Sequence, residues 1–515
     1  MAIIKKIKLQ NFKRFKELEI QFKPGVNTII GDNESGKSSI LQAIDLAQSA
    51  NIRKIQDFGI ESLMNLEAIN AFGEGEHEYE KLPELVIEIY LANCDVEAFD
   101  GKNNTKQEED YGFRLKCFPN EDHSEHINKI LSSGNGEIPF EFYRVEFQMF
   151  SGRPYTYYNK PFTPIFIDST ESSHTRARQH LVFNIYNNRF NETEISAQQH
   201  EYKILRSSFL EEKCGSEGGD TADGLLRLRK NAKIEHDLTL EYEGVDIAQK
   251  GKGSQCEIKA AYALRNRSGD KDNVVLLEEP ENHLSHSRTR GFIDKIQNSG
   301  AAQVILTSHS SLICSSLGLN DCIFLNNSTS SINKLSSLSP ETSNFFTKAP
   351  NHNILELILS EKVVLVEGHA EYLLCQHLFQ QEHGDALQAK GVHLISVNGL
   401  SFKRYLEVAQ LLDRKVAVIT DNDKSIENLN AKYAEYSDSD SVEVFSDSDE
   451  EKYTFEVCIY QDNETACQDV FAAKKLPPLD WMLKNKSEAA FQLYESGKPL
   501  TTPEYIKEAF AWILG

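Results

Sequence analysis

The sequence predicts an α/β protein of two tandem modules, each built on a sheet whose strands end in phosphate- or metal-handling residues. Three observations predict it. A strand-like run at 26–30 feeds the loop Gly31-Asp-Asn-Glu-Ser-Gly-Lys-Ser38 and then a helical pattern. Far downstream, Leu276-Leu-Glu-Glu-Pro-Glu281 and Thr307-Ser-His309 supply the acids and the histidine that such a loop works with. From residue 362 onward strand and helix patterns alternate, as in a parallel α/β domain, and the strands run out into Glu367, Glu371, Asp421 and Asp423.

Composition sets the outer bounds. A chain of 515 residues has room for two to four domains, each with its own core. Hydrophobic content of 40% and charged content of 26% belong to ordinary globular proteins. No run approaches the roughly 18 to 20 apolar residues of a membrane helix, so no membrane partner is expected. The opening MAIIKKIKLQNF turns polar too soon for a secretory signal. The nine cysteines stand singly, without a CxxC pair, which argues against a zinc ribbon or a disulfide framework and for a reducing cytoplasm. Net charge is −23, with acid concentrated at 74–80, 108–110 and 437–451. The first 23 residues are instead basic, through Lys5, Lys6, Lys8, Lys13, Arg14, Lys16 and Lys23. That stretch reads either as a solvated strand face or as a phosphate-contacting surface. Bound cations invert local charge, so the net charge does not exclude nucleic acid.

The elements follow in order. Ile3–Leu9, Leu18–Phe22 and Val26–Ile30 read as strands, and Ser38–Gln48 as a helix with apolar residues at 40, 41, 44 and 46. Leu85–Leu91, Phe113–Phe118 and Phe140–Phe150 alternate as an antiparallel sheet would. These complete a first half at 1–167. Residues 168–235 turn helical and polar, an insertion suited to dimerisation or a partner, with a flexible loop at Gly215–Gly224. The module resumes over 236–326, and 327–358 reads as a linker, rich in Ser, Thr, Asn and Pro at 327–351. The second module, 359–515, alternates strands Val363–Val366, Val392–Val397 and Val416–Ile419 with helices Ala370–Gln380 and Phe402–Leu412. The acidic stretch 437–451 reads as a low-complexity surface loop.

The first module has the parts of a nucleotide site. Gly31 and Gly36 of the Walker A loop let backbone N–H groups wrap a β-phosphate, with Asn33 and Ser39 in the same wrap. Lys37 reaches the β- and γ-phosphates of ATP, and Ser38 ligates Mg²⁺. The strand at 274–277 delivers Glu278, the magnesium-associated acid, and Glu279, which would polarise the attacking water. Asn282–Leu284 would lie close behind, near a dimer interface. His309 is placed to sense the γ-phosphate, although a lone histidine is more often structural. Lys250–Ala260 (KGKGSQCEIKA) resembles the signature loop of ABC-type ATPases, with Gly253, Ser254 and Gln255 opening a helix. The resemblance implies that one protomer's loop closes over the phosphates held by another, hence a homodimer. A plain glycine-rich turn is the structural alternative.

In the second module, Glu371 follows Glu367 by one helical turn, so both acids can face one point. Asp421 and Asp423 are two residues apart, on the same side of an extended segment. Four hard oxygen donors at the ends of parallel strands suit Mg²⁺ or Mn²⁺. Solvated acids at strand ends are the plain alternative for either pair alone. Val-Glu-Gly-x-x-Glu followed some fifty residues later by Asp-x-Asp resembles the Toprim domain of topoisomerases, DnaG-type primases and small nucleases, and Ser396–Gly399 falls where that domain places a glycine turn. With an upstream ABC-type, SMC/RecF-like ATPase, nearly the whole chain is similar to the OLD (overcoming lysogenisation defect) family of nucleases, to which the Gabija nuclease subunit is related. By that resemblance Glu367, Glu371, Asp421 and Asp423 are metal ligands or general base. Glu456 in Thr454-Phe-Glu456 completes a second metal site, with Glu450 or Glu451 as alternatives, and Lys486 stabilises the pentavalent phosphate, with Lys484 as its alternative.

The resemblance implies a two-metal endonuclease acting on double-stranded DNA, controlled by ATP, cytoplasmic, dimeric or of higher order, and serving antiviral defence, with a helicase-like partner possible in such systems. Two other readings stand beside it. One is a RecF- or SMC-like DNA clamp ATPase whose Toprim domain only docks nucleic acid, and the intact four-acid set counts against it. The other is an RNA-cleaving Toprim nuclease or a topology enzyme. The cysteine pattern removes a primase zinc module, and the length leaves little room for a topoisomerase's tyrosine domain.

Overall fold

The structure is a computed structural model. It describes residues 2–132, 136–162, 164–168, 182, 186, 190–213, 234, 237–264, 274–282, 284–325, 334–349, 354–399, 401–437 and 439–515. Two compact units emerge, one of residues 1–162 with 305–515 and one of residues 163–304.

The larger unit opens with an antiparallel sheet. Its order is Phe15–Gln21, Ile3–Phe12, Leu85–Ala92, Asp110–Pro119, with Asp100–Gly101 and Tyr143–Met149 also pairing to Asp110–Pro119. Register follows the period-2 pattern: Ile7 faces Ile20 and Ile89, and Ile89 faces Phe113, so apolar residues share one side. Where Phe140–Phe150 was expected to be a strand throughout, a 3₁₀ turn at Phe140–Phe142 precedes it. The basic N-terminal stretch is largely a paired strand face. Lys6 meets Glu19 at 3.5 Å and Lys8 meets Glu17 at 3.4 Å across neighbouring strands, and Lys5 reaches Asp110, two strands away, at 2.9 Å.

The strand Gly25–Gly31 lies parallel to Cys322–Leu325, with Ile30 opposite Phe324 and Gly31 opposite Leu325. After the loop, the helix Lys37–Ser49 buries Ile40, Leu41, Ile44 and Leu46, the apolar stripe read from the sequence.

The second module's sheet has four parallel strands in the order Val392–Ser396, Lys362–Val366, Lys415–Ile419, Val442–Phe445. Both faces are covered, which is why these strands read as continuous apolar runs. Val364, Val366, Ala417 and Ile419 pack into one core with the helices His369–His383, Phe455–Asp462 and Glu504–Leu514. Val363, Leu365, Val416 and Val418 pack into another, which also takes in Ile30 and Phe324. One side of this sheet therefore shares a core with the strand that carries the phosphate loop.

Two expectations are corrected. The acidic stretch 437–451 is not all surface loop: Val442–Phe445 is the sheet's parallel edge strand, with Val442 opposite Val416 and buried. Val442, Val444 and Phe445 were enough apolar content to complete a sheet edge. Nor is 327–358 simply a linker. In its described part the helices Pro340–Lys348 and Ile354–Leu359 form, and Leu335, Leu338, Phe346, Ile354 and Leu357 enter the core. Polar composition masked a pattern of single apolar anchors.

The smaller unit pairs Ile165–Asp168 in parallel with Val274–Glu278. It also holds the helix Glu192–Lys213, a two-residue hairpin turning at Glu243 and Gly244, and the helices Lys252–Ala263 and His286–Gln297. Within the expected helical insertion, Glu192–Lys213 is helical, while the Gly215–Gly224 loop lies outside the described residues. Lys295 to Glu257 at 2.6 Å ties its last two helices together. No helix among the described residues is long and apolar enough to cross a membrane. The described cysteines are free thiols, most of them buried.

Candidate functional site

The phosphate loop is held open by glycine. Gly36 sits at φ 91°, and a Cβ there would lie 2.4 Å from Cζ of Phe15. A Cβ on Gly31 would meet the Leu325 carbonyl at 2.7 Å, so the parallel strand closes on the loop from behind. Lys37 is buried, and its ammonium donates to the Gly31 carbonyl at 3.0 Å and the Asp32 carbonyl at 2.9 Å. Asp32, Asn33 and Ser38 are exposed and Ser39 half-exposed, so the loop offers its polar groups outward. His309 follows the strand Gln303–Ser308 and is half-buried.

In the smaller unit, Glu278 ends its strand buried beside Asp168. Glu279 leaves the strand at φ 41° and accepts a hydrogen bond from Nδ2 of Asn282 at 2.8 Å. Of the expected Asn282–Leu284 contact, His283 lies outside the described residues. The helix opening at Lys252 puts Gly253, Ser254 and Gln255 in its first turn. There Ser254 accepts from Arg288 at 2.8 Å and Gln255 donates to the Lys250 carbonyl at 2.7 Å.

The carboxylate site lies at the strand ends of the parallel sheet. The glycine turn at Ser396–Gly399 buttresses it: Val397 N–H donates to the Val366 carbonyl at 2.9 Å and Gly399 N–H to the Glu367 carbonyl at 3.0 Å. Glu367 Oε1 accepts from Oγ1 of Thr420 at 2.6 Å and from the Asp421 N–H at 3.3 Å, which joins the first acid to the second strand end. Glu371, in the first turn of His369–His383, accepts from the Gly368 N–H at 3.1 Å as in a capping box. Asp421 Oδ1 accepts from the Phe455 N–H at 2.8 Å, so the helix that carries Glu456 starts on Asp421.

Glu456 is the surprise. It is 2% exposed, and Lys486 meets its Oε2 at 2.9 Å. The other oxygen, Oε1, is buried without a hydrogen-bond partner among the described residues. Lys486, not Lys484, is the lysine brought to the acids. Glu450 instead accepts from the Ile426 N–H at 3.3 Å.

Like charge and burial leave their mark. Burial, then the charges of Glu367, Glu371 and Glu456, push the Asp421 carboxyl up to about 8. Burial, then Glu456 and Glu367, push Glu371 up to about 6. Burial works against the Lys486 charge, yet Glu456, Asp421 and Glu371 outweigh it and hold its pKa above the usual lysine value.

The expected extended Asp421–Asp423 pair needs correction. Asp423 has φ 48° and Lys424 φ 63°, so the chain turns into the left-handed region and Asp423 stands exposed. Consistent with this, no three Asp, Glu, His or Cys side chains among the described residues converge as a ready cage for a metal ion. The hydrogen bonds show why: Glu367, Glu371 and Asp421 have each turned to a nearby backbone or hydroxyl donor, and Glu456 to Lys486. Glu367, Glu371, Asp421 and Glu456 nonetheless fit a divalent cation in chemistry, as hard oxygen donors whose mutual repulsion a cation would relieve, with Oε1 of Glu456 lacking a hydrogen-bond partner.

Two supporting residues escaped the sequence reading. Thr420 orients Glu367, and buried Asn422 donates to the carbonyls of Asp447 and Asp449, each at 2.9 Å. The second contact pins the acidic stretch against the Asp421 turn. Only the position of Asn422 between two acids could have signalled it.

Comparison with known proteins agrees with this layout. A family model described as AAA domain matches residues 6–273, and a second AAA-domain model matches 255–315. The model described as Overcoming lysogenization defect protein-like, TOPRIM domain, matches residues 358–423. The chain is 43% identical over 76 residues to the DNA double-strand break repair Rad50 ATPase of Methanococcus maripaludis, covering 15% of this chain and 8% of that protein. It is 36% identical over 58 residues to the DNA replication and repair protein RecF of Listeria welshimeri, covering 11% of this chain and 16% of RecF. The chain thus spans only a small part of the length of these curated relatives. Among solved structures, an SMC head bound to the winged-helix domain of ScpA covers 62% of this chain and 94% of its own at 15% identity and a TM-score of 0.35. The C-terminal region of the Burkholderia pseudomallei OLD protein covers 30% of this chain and 97% of its own at 18% identity and a TM-score of 0.24.

Proposed function

We propose a function from one premise: this chain belongs to the AAA-domain ATPase family and carries an OLD-like Toprim domain. It is an ATP-controlled, divalent-metal-dependent endonuclease acting on double-stranded DNA. The observation that carries the reading is the group Glu371, Asp421 and Glu456, acids whose charges act on one another beside a single lysine, with Asp421 pushed up to about 8. Evolved cores avoid such groupings unless a ligand repays them. The DNA repair and replication roles of the Rad50 and RecF relatives support DNA as the substrate.

In this reading Glu367, Glu371, Asp421 and Glu456 hold the metals, with exposed Asp423 joining once DNA is present. Mg²⁺ or Mn²⁺ there would neutralise phosphate charge and lower the pKa of a bound water. Lys486, kept protonated by the acids around it, places a positive charge against the phosphate's developing charge. Thr420 and the Gly399 turn keep Glu367 in place. In the ATPase half, Lys37 leaves its two loop carbonyls for the nucleotide's phosphates, Ser38 and Glu278 serve the Mg²⁺, Glu279 orients water and His309 reports the γ-phosphate. Gly253, Ser254 and Gln255 of a second copy would close that site, which makes the working form a dimer. The setting is a cytoplasmic antiviral defence, with or without a helicase-like partner. The proposed domains are 1–167 and 236–326 for the ATPase, 168–235 for the dimerisation insert and 359–515 for the Toprim domain.

Supercoiled plasmid incubated with Mg²⁺ or Mn²⁺ tests it. Wild type nicks or linearises the plasmid, Asp421→Ala does not, and Lys37→Ala retains metal-dependent cutting with altered response to ATP. Equal cutting by all three proteins would reject the nuclease. Nucleotide-dependent DNA binding without any cutting would favour the clamp reading, and cutting confined to RNA the ribonuclease reading.

A further inference from the structure

The two halves of the proposed activity need a connection, and a single buried arginine stands where it would be. Arg414 immediately precedes the strand Lys415–Ile419, whose far end becomes Asp421. It is 4% exposed. Its Nη2 donates to the Ile358 carbonyl at 2.7 Å, at the end of the helix Ile354–Leu359. Its guanidinium lies over the Phe324 ring at 5.1 Å, and the charges of Glu361, Asp32 and Asp413 act on it. Its Nε has no hydrogen-bond partner. Burying a guanidinium with an unmet donor is costly, and a helix end could be capped more cheaply from the surface.

Two of these groups, Phe324 and Asp32, lead back to the phosphate loop. Phe324 sits opposite Ile30, and its neighbour Leu325 opposite Gly31. The Asp32 carbonyl accepts from Lys37 at 2.9 Å. Asp32, His309, Glu356, Glu361 and His393 line one cleft of about 690 Å³. There Glu356 pairs with His393 at 3.3 Å, and His393 lies in register beside Val363 of the central strand.

We infer that Arg414 is a positioning residue of the carboxylate site, setting the strand that carries Asp421 according to whether the phosphate loop holds a nucleotide. When phosphate draws Lys37 off the Gly31 and Asp32 carbonyls, the loop loses its internal donor and the Asp32 carboxylate shifts against the guanidinium. Arg414 then repartitions between Asp32, Glu361 and the Ile358 carbonyl. Its strand is short and rigidly laddered to Lys362–Val366, so movement at Arg414 reaches Asp421. The consequence for cutting rests on the proposed function, but the movement itself does not.

Hydrogen exchange across residues 415–423 tests this on the full-length protein, with and without a non-hydrolysable ATP analogue. In the wild type the analogue changes exchange there by about fivefold or more, the low end of ordinary coupling. Arg414→Lys keeps the charge but loses the fork, so the change falls below about twofold while analogue affinity stays within about twofold of wild type. A merely structural cap would lower stability and leave the nucleotide response intact, and that result overturns the inference. So does a wild type whose exchange ignores the analogue. Should Arg414→Lys fail to fold, Phe324→Leu removes the guanidinium's ring partner and carries the same expectation. A wild type that cuts no nucleic acid yet shows the Arg414-dependent response sinks the nuclease and upholds the coupling.

Discussion

The phosphate loop and the carboxylate site both bury charge, and they satisfy it in opposite ways. The loop buries one cation, Lys37, and parks it on two of its own carbonyls at 3.0 and 2.9 Å. The carboxylate site buries several acids against one half-exposed lysine, Lys486, and leaves Oε1 of Glu456 without a hydrogen bond. The first therefore has its buried charge satisfied before its ligand arrives, and binding exchanges those hydrogen bonds for others. The second carries an electrostatic debt that only a cation, or protonation, relieves. A nucleotide should thus act on this protein chiefly through conformation, and a divalent metal chiefly through stability.

The sharpest way to break that comparison is to remove one charge from each site. Lys37→Ala should lower ATP hydrolysis by about 10²- to 10³-fold, the usual cost of losing one donor to a developing phosphate charge, measured by phosphate release. Its melting temperature in the absence of nucleotide should move little. Glu456→Gln should lower metal-dependent cleavage comparably yet raise the metal-free melting temperature, because one of several mutually repelling charges is gone. Mg²⁺ or Mn²⁺ should stabilise the wild type in a thermal melt and the Glu456→Gln protein much less. A metal-free Glu456→Gln protein less stable than wild type would show that the Lys486 pair, not repulsion, governs that site.

Gly36→Ala sharpens the other half. The residue needs φ 91° and has a phenyl ring where a Cβ would go. Left-handed backbone costs a non-glycine residue about 1–2 kcal/mol, so nucleotide affinity should fall by about tenfold, read by fluorescent-nucleotide titration. Metal-induced stabilisation should be unchanged. If it falls as well, the two sites are not energetically separate in the way their charge patterns suggest.

The same contrast explains what the sequence could disclose. The phosphate loop is local: eight consecutive residues run from the last residue of a strand into the first turn of a helix, with geometry set by two glycines, so motif and structure coincide. The Toprim sheet was nearly as legible, since strands buried on both faces must read as apolar runs, and Lys362–Val366 and Lys415–Ile419 begin within one residue of where those runs do. The carboxylate site was legible in its members but not in its arrangement. Glu367 to Lys486 spans more than a hundred residues, and nothing local says that Glu456 would be buried or that Lys486 rather than Lys484 would meet it. The Asp421–Asp423 spacing misled because alternation holds only for extended chain, and the chain turns at Asp423. Arg414 was invisible for a related reason: a basic residue before a strand is ordinary, and its burial is decided by Phe324 and Ile358, distant in sequence.

The smallest expected effect probes the seam between the two regions. Glu407, on the helix Phe402–Leu411, accepts from the N–H of Ser339 at 2.7 Å, from its hydroxyl at 2.9 Å, and from the hydroxyl of Thr342, so it caps the helix Pro340–Lys348 that the sequence presented as linker. Burial alone would raise its pKa, but the donors of Thr342 and Ser339, aided by Arg404, outweigh it and hold the carboxyl below its ordinary value. A carboxyl with a depressed folded pKa stabilises above its unfolded value and loses that contribution as pH falls through the folded one. Glu407→Gln should therefore cost about 1 kcal/mol near neutrality, and the gap to wild type should close as pH falls below about 4.5. Thermal melts of both proteins across that range check it. A gap that persists or widens in acid would mean that shape rather than charge holds the cap. Nucleotide response in Glu407→Gln should stay at wild-type level, since the cap braces the core shared by the two regions without touching the route through Arg414.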